Sequence, residues 1–132
     1  MVINLRSKRL TALFSEVWNN LPKKDRDSIS GRTLLIVDNP IFLPKNHHPV
    51  WGAVIVAHCR KSISILYLSP RKLPQQRDSF VRYVIAHEFG HLRRGHAEKL
   101  FTLTEDKIIE DRFEREANLL ARRWGFPKCK PG

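Results

Sequence analysis

The pentapeptide HEFGH, residues 87–91, has the residue types and the spacing of a metal-dependent hydrolytic site. It follows the mostly apolar stretch 81–86, which predicts that the pentapeptide is helical. Four residues turn a helix through about 400°, so His87 and His91 lie on one face and their imidazoles can share one metal ion. Glu88 projects beside them and can reach a water molecule at that ion. The pattern therefore predicts the core of a zinc hydrolase site.

A third protein ligand is needed, because a catalytic zinc ion takes three protein ligands and leaves one position for water. His96 is one candidate. In metzincins a glycine and a histidine follow the second ligand by three and six residues, but Arg94 and Ala97 stand there in this chain. Gly95 is also typical of a helix stop, which would turn His96 away from the ligand face. We therefore expect His96 to be a rim or structural residue.

A second helix offers a better candidate for the third ligand. Residues 102–105 have the pattern of a capping box, and Gly125 and Pro127 are typical helix-stopping residues. Between these signals, apolar residues keep helical spacing, and a stripe of carboxylates and small residues would let two helices approach closely. Glu114 lies on that stripe and is placed to reach the metal. The apolar positions are Ile108, Ile109, Phe113, Ala117, Leu120 and Trp124, and the stripe positions are Glu110, Glu114, Ala117, Asn118 and Ala121.

The pairing of HEFGH with the E-x-E-A-N sequence of residues 114–118 resembles the gluzincin arrangement, and most closely that of the ImmA/IrrE-like metallopeptidases. The resemblance covers residues 80–124 of the 132. It implies zinc-dependent hydrolysis of a peptide bond in a protein substrate. In that family the substrate is a transcriptional repressor, which the resemblance implies here as a partner.

The resemblance also assigns roles to individual residues. It implies one zinc ion bound by His87, His91 and Glu114. It further implies that Glu88 is the general base and that Asn118 holds the imidazole of a ligand histidine by a hydrogen bond. An aspartate often fills the place of Asn118 in related gluzincins, so the amide would influence the histidine less strongly.

The N-terminal part of the chain predicts a helix followed by a linker. Between residues 10 and 21, apolar residues recur at helical spacing, which predicts an amphipathic helix that ends before Pro22. Its apolar stripe is most simply part of the core. The polar residues 23–30 are interpreted as a linker.

Three β-rich runs follow at residues 33–38, 50–58 and 62–69. Residues 59–61 are few enough to join the last two runs in a hairpin. Residues 51–54 are compatible with an edge strand that binds extended peptide, but an ordinary core strand is favoured.

These elements predict a small α+β, zincin-like fold. We expect one domain over residues 1–132, with an N-terminal helix, an antiparallel or mixed sheet of three or more strands, the HExxH helix and a C-terminal ligand helix.

Some candidate residues are not resolved by sequence reasoning. A further donor should stabilise the oxyanion of the reaction. The available oxyanion donors are His47, His48, His58, Tyr67 and Tyr83.

The two cysteines, Cys59 and Cys129, lie in unlike contexts without metal spacing and are expected to be free thiols.

The composition is strongly basic, with 24 lysines and arginines against 13 acidic residues and a formal net charge of +11. Such a field predicts weak, salt-sensitive and non-specific association with nucleic acid. The alternative to an enzyme is a basic module that binds nucleic acid or protein and has a structural or inactive zinc site. No apolar run of membrane-spanning length and no signal-type apolar core is present, so we expect a soluble, cytoplasmic protein without membrane contact.

Overall fold

The computed structural model describes residues 1–45, 49–58, 61–97, 99 and 107–132. Within these ranges, four α-helices accompany one four-stranded sheet, which confirms the predicted α+β class. The helices are α1 (Lys8–Asn20), α2 (Lys23–Ser30), α3 (Asp78–Arg94) and α4 (Lys107–Arg123), and the strands are β1 (Val2–Asn4), β2 (Leu34–Val37), β3 (Gly52–His58) and β4 (Ser62–Leu68).

The sheet is mixed and has the strand order β1-β2-β4-β3. β1 and β2 are parallel, β2 and β4 are parallel, and β3 and β4 form the predicted antiparallel hairpin. Among the described strands, β3 lies at the edge of the sheet, so the favoured interpretation of residues 51–54 as part of an ordinary core strand is wrong. β4 lies between β2 and β3, and β3 therefore has one neighbour within the described part of the chain. β1 is an addition that its three exposed residues did not signal.

The central element is α3, which packs against each of the other three helices and against β3 and β4. α1 begins at the N-cap Ser7, whose hydroxyl accepts a hydrogen bond from the backbone N–H of Leu10 at 3.1 Å. Its apolar stripe lies in the core, as predicted. Phe14 and Trp18 pack their rings on Phe89 of the HEFGH sequence, at centroid distances of 5.1 and 5.4 Å. The back of the pentapeptide is thereby anchored to α1.

Residues 23–30 form helix α2, so the predicted linker is wrong. The carboxylate of Asp25 accepts hydrogen bonds from Arg93 at 2.8 Å and from the indole N–H of Trp124 at 3.1 Å. Ile29 is the buried apolar residue of this helix. These contacts come from distant parts of the chain, so the polar sequence of α2 gave no local sign of them.

Both predicted stops beyond the site helices are present. Gly95 caps α3 with a φ of 65°, and Gly125 follows α4 with a φ of 95°, a region that favours glycine. The predicted capping box at 102–105 lies outside the described residues. Among the helices described, none has the length and apolar character needed to cross a membrane.

α3 and α4 touch backbone to backbone where Gly90 meets Ala117. A Cβ atom added at Gly90 would lie 2.9 Å from both the Cα and the carbonyl oxygen of Ala117. Side chains larger than hydrogen are therefore excluded at this point. The stripe of small residues on α4 was predicted to let two helices approach closely, and the contact of Ala117 with Gly90 of α3 confirms this.

Gly90→Ala should lower the free energy of unfolding by about 1–3 kcal/mol, because the added methyl group forces two backbones apart. Gly31→Ala is the matched control. Its Cβ would meet nothing nearer than 3.5 Å, and its φ of −66° suits alanine. The control should be neutral or stabilising by about 0.4–1 kcal/mol. Urea unfolding of both variants measures the difference, and equal stabilities would contradict the close contact.

Candidate metal centre

Three side chains converge where α3 faces α4. The Nε2 atoms of His87 and His91 are 3.0 Å apart. Glu114 places Oε2 2.9 Å from Nε2 of His87 and Oε1 3.1 Å from Nε2 of His91. Around a tetrahedral ion with bonds of about 2.0–2.1 Å, ligand atoms are separated by roughly 3.3 Å. The three side chains form a group that could hold a metal ion.

Each side chain reaches this point for a structural reason. His87 and His91 are one helical turn apart on α3, and their side chains are nearly buried. Glu114 comes from α4, three residues before Ala117, where α4 is closest to α3. Its side chain is 58% exposed, so the group opens to solvent on that side. The sequence reasoning proposed these three residues, and the structure brings them together.

The charges at the site respond to one another. Burial acts to lower the pKa of His87, but the hydrogen bond with Glu114 and the charges of Glu88 and Glu114 leave it raised. Burial acts to raise the pKa of Glu114, but the hydrogen bonds with His87 and His91 leave it well below its ordinary value. Glu114 is therefore ionised at neutral pH, and the two imidazole nitrogens face its negative charge. A proton or a metal ion is favoured in this space.

Glu88 lies beside the group but in a different environment. It is only 6% exposed, and burial raises the pKa of its carboxyl group above the ordinary value. The start of β3 packs on it, since a Cβ atom at Gly52 would lie 3.4 Å from Cγ of Glu88 and 2.9 Å from the carbonyl oxygen of Tyr67. The backbone of Tyr67 therefore excludes a side chain at Gly52, and Glu88 lies at ordinary van der Waals distance from the same point.

Asn118 makes the contact that the resemblance implied for it. Its Oδ1 accepts a hydrogen bond from Nδ1 of His87 and another from the hydroxyl of Tyr83, each at 2.7 Å. Nδ1 of His87 is thus protonated, and in the neutral imidazole Nε2 keeps its lone pair. Burial, together with the charges of Glu114 and Glu88, raises the pKa of Tyr83 to about 12.

His96 lies behind His91 and is buried, so of the two expected roles, rim or structural residue, the structure agrees with the second. It is 1% exposed, and its ring stacks on Phe113 at 4.1 Å with an interplanar angle of 8°. Its Nδ1 is 2.9 Å from Nδ1 of His91, and its Nε2 is 2.7 Å from Oε2 of Glu116. The stop at Gly95 was correctly predicted, but the chain beyond it turns inward. The spacing of Phe113 and Glu116 on α4 was the available sign of a shared contact.

Both partners of this contact have shifted pKa values. Burial lowers the pKa of His96, which favours the neutral imidazole. The hydrogen bond from His96, with a further contribution from Arg112, lowers the pKa of Glu116. The contact therefore joins a neutral histidine to an ionised carboxylate.

Two cavities adjoin the group, and Gly52, Glu88 and Glu114 line both of them. The first, of about 360 Å³, lies beside His91, and the second, of about 440 Å³, lies beside His87. The start of the edge strand thus borders both cavities. The second cavity is also lined by apolar and aromatic side chains, namely those of Val50, Trp51, Phe80, Tyr83 and Val84.

The other candidate residues are placed as follows. Tyr83 is the oxyanion candidate that lies at the site, whereas Tyr67 packs in a separate apolar cluster with Val37 and Ile65. Cys129 is a free thiol that lines the second cavity. His47, His48 and Cys59 lie outside the described residues, and the side chain of His58 is outside them as well.

Comparison with models of protein families, with curated proteins and with solved structures found no match. The class of the site therefore rests on its own geometry. It is a candidate metal centre of two histidines and one carboxylate, with a buried glutamate beside it, in a fold of the α+β class.

Removing Glu114 should weaken metal binding most. Glu114→Ala deletes one of three ligands, so Zn²⁺ affinity should fall by more than the roughly 10–100-fold that is typical for loss of an outer hydrogen-bond partner. Glu110→Ala, one turn earlier on α4 and exposed, removes the same charge and should keep the affinity. Competition with a chromophoric chelator measures both. Similar affinities in the two variants would show that Glu114 is not a ligand.

Proposed function

We propose that the protein is a zinc-dependent metallopeptidase that hydrolyses a peptide bond in a protein substrate. The observation that carries this proposal is the convergence of His87, His91 and Glu114 within about 3 Å of one another, beside the buried Glu88. A merely structural zinc site takes four protein ligands and closes the metal to solvent. Within the described residues, three candidate ligands meet at an open cleft, which favours catalysis.

The donor set supports zinc. Two imidazole nitrogens and one carboxylate are a common ligand set for catalytic zinc and leave one position for water or substrate. When bound, zinc would lower the pKa of a water molecule to about 7 and polarise the scissile carbonyl. His87 and His91 would hold the ion through Nε2, and Glu114 through its carboxylate.

Glu88 is proposed as the general base. A carboxylate whose pKa is raised by burial is a stronger base than an exposed one, and in its protonated form it can donate the proton to the leaving amine. Glu88 would thus take a proton from the attacking water and return it to the new amino group.

The edge strand supports an extended peptide as the substrate. β3 has β4 as its one strand partner in the described chain, so backbone donors and acceptors along its other side are available to a peptide. A peptide paired with β3 would pass Gly52 and therefore Glu88. The ImmA/IrrE resemblance adds a class of substrate to this proposal, a DNA-binding repressor.

Glu88→Gln tests the mechanism directly. The amide keeps the size of the side chain but cannot accept the proton, so zinc should still bind with unchanged stoichiometry while turnover falls by at least roughly 10²-fold. A library of quenched fluorescent peptides serves as the substrate, and metal analysis gives the stoichiometry. Glu110→Gln is the control for loss of a carboxylate at the cleft. Undiminished cleavage by Glu88→Gln would remove this residue from the mechanism, and a wild-type protein without zinc would refute the proposal.

A second candidate function, binding of polyanions, is favoured by a basic cleft on another part of the surface. The cleft has a volume of about 380 Å³ and is lined by Trp124 and Leu120 among four cationic side chains and one carboxylate. That carboxylate, Asp25, is occupied by Arg93 and Trp124. Positive charge is therefore in excess, as a phosphate backbone requires. The cationic residues are Lys24, Arg93, Arg94 and Arg123.

Replacing Lys24, Arg94 and Arg123 by glutamine should weaken binding to a DNA duplex and reduce the slope of log affinity against log salt by up to about 3. The control replaces the exposed Lys8, Lys45 and Lys130, which gives the same change in net charge. Fluorescence anisotropy at several salt concentrations measures both variants. Equal losses would assign the binding to net charge and not to the cleft.

A further inference from the structure

We propose that His96 and Glu116 are positioning residues that hold the proposed ligand His91 in the tautomer whose Nε2 is free to bind the metal. The inference rests on the proposed zinc site. It adds two residues that are not among the three candidate ligands. It follows from the positions of donors and acceptors in the hydrogen-bonded series His91, His96 and Glu116.

The hydrogen-bonded series begins at Glu116, whose ionised carboxylate can only accept hydrogen bonds. The contact of 2.7 Å with Nε2 of His96 therefore requires the proton to be on that nitrogen. A neutral imidazole carries one N–H, so Nδ1 of His96 is an acceptor. Nδ1 of His91, at 2.9 Å, must then be the donor. In a neutral His91, the remaining nitrogen, Nε2, is then left with its lone pair.

That lone pair points to the metal group. Nε2 of His91 is the atom that lies 3.0 Å from Nε2 of His87 and 3.1 Å from Oε1 of Glu114. With the opposite tautomer of His91, an N–H would occupy the place of the metal. The negative charge of Glu116, transmitted through His96, selects against that arrangement.

The geometry of the hydrogen-bonded series leaves little freedom. His96 is 1% exposed and its ring lies flat on Phe113. Glu116 is held from its other side by Arg112, whose Nε donates to Oε1 at 3.2 Å. Stacking on Phe113 alone would explain a buried aromatic ring at residue 96. It does not explain why both ring nitrogens meet polar partners at hydrogen-bond distance.

The two histidine ligands are thus supported differently. Nδ1 of His87 donates to the neutral amide of Asn118, whereas Nδ1 of His91 connects through an imidazole to a carboxylate. Partners of this kind orient a ligand and raise its basicity. On this basis the orientation and tautomer of His91 depend on a negatively charged group, whereas those of His87 depend on a neutral hydrogen-bond acceptor.

Three variants and one control test the inference. His96→Phe keeps a ring that can stack on Phe113 but removes the acceptor for His91, and His96→Asn restores an acceptor near the position of Nδ1. Glu116→Ala leaves His96 in place without its carboxylate. Glu110→Ala removes an exposed carboxylate of the same helix. Among the described residues, the hydrogen-bond partners of His96 are His91 and Glu116, and Glu110 is not one of them.

The measurements are the ¹⁵N chemical shifts of the imidazoles in the metal-free protein, titrated to alkaline pH so that each imidazole is neutral and its tautomer is defined, and the Zn²⁺ affinity by chelator competition. We expect His91 of the wild type to be the Nδ1–H tautomer. His96→Phe should lower the affinity by roughly 10–100-fold, and His96→Asn should recover most of it. Glu116→Ala should give a mixture of His91 tautomers with a smaller loss, and Glu110→Ala should match the wild type.

Other outcomes overturn the inference in distinguishable ways. Wild-type affinity and an unchanged His91 tautomer in both His96→Phe and Glu116→Ala would leave His96 as a core residue only. An Nε2–H tautomer of His91 in the wild type would refute the assignment of donors and acceptors among His91, His96 and Glu116. If His96→Phe does not fold, Glu116→Ala decides by the same two readouts, because Glu116 lies nearer the surface. A wild type that binds no zinc would refute the proposed function, while the tautomer of His91 would still decide the inference.

Discussion

The contact between Gly90 and Ala117 is the constraint on which the site depends. Two histidines one turn apart are easily supplied by a single helix, but a third side chain on another helix reaches them only if the two axes are close. The backbone contact at Gly90 provides that distance, and Glu114 is placed one turn before it on α4. On the opposite face of α3, Phe89 fixes the helix to α1 through two aromatic contacts. The same five-residue sequence therefore supplies the chemistry, the close approach and the anchor.

The pKa values of two carboxyl groups beside the same histidines are shifted in opposite directions by their surroundings. Glu88 is buried against β3, and its pKa is raised. Glu114 is more exposed but bonded to both imidazoles, and its pKa is lowered. Environments that separate the pKa values of neighbouring groups are typical of sites that divide acid–base and binding roles. The division corresponds to the roles proposed for the two residues, one moving a proton and one holding charge.

How much of this structure could be predicted depended on whether the determining contacts are local. The amphipathic helix α1, the hairpin of β3 and β4 and the stop at Gly95 were predicted, because spacing and turn residues within short segments determine them. The spacing of HEFGH and the stripe on α4 likewise brought the three candidate ligands to attention. α2 was missed because Asp25 finds its partners on α3 and beyond α4. The contact of His96 could not be predicted for the same reason, since its partner Glu116 is 20 residues away in sequence.

The three candidate ligands belong to two helices, which has a thermodynamic consequence. An ion held by His87 and His91 on one side and Glu114 on the other would act as a crosslink between α3 and α4. A ligand that binds only the folded state raises the free energy of unfolding with the logarithm of its concentration, by about 2.7 kcal/mol at a hundred times its dissociation constant. The folded fraction of the protein would then follow the supply of free metal. Scarcity of the ion would reduce the amount of intact protein as well as the number of loaded sites.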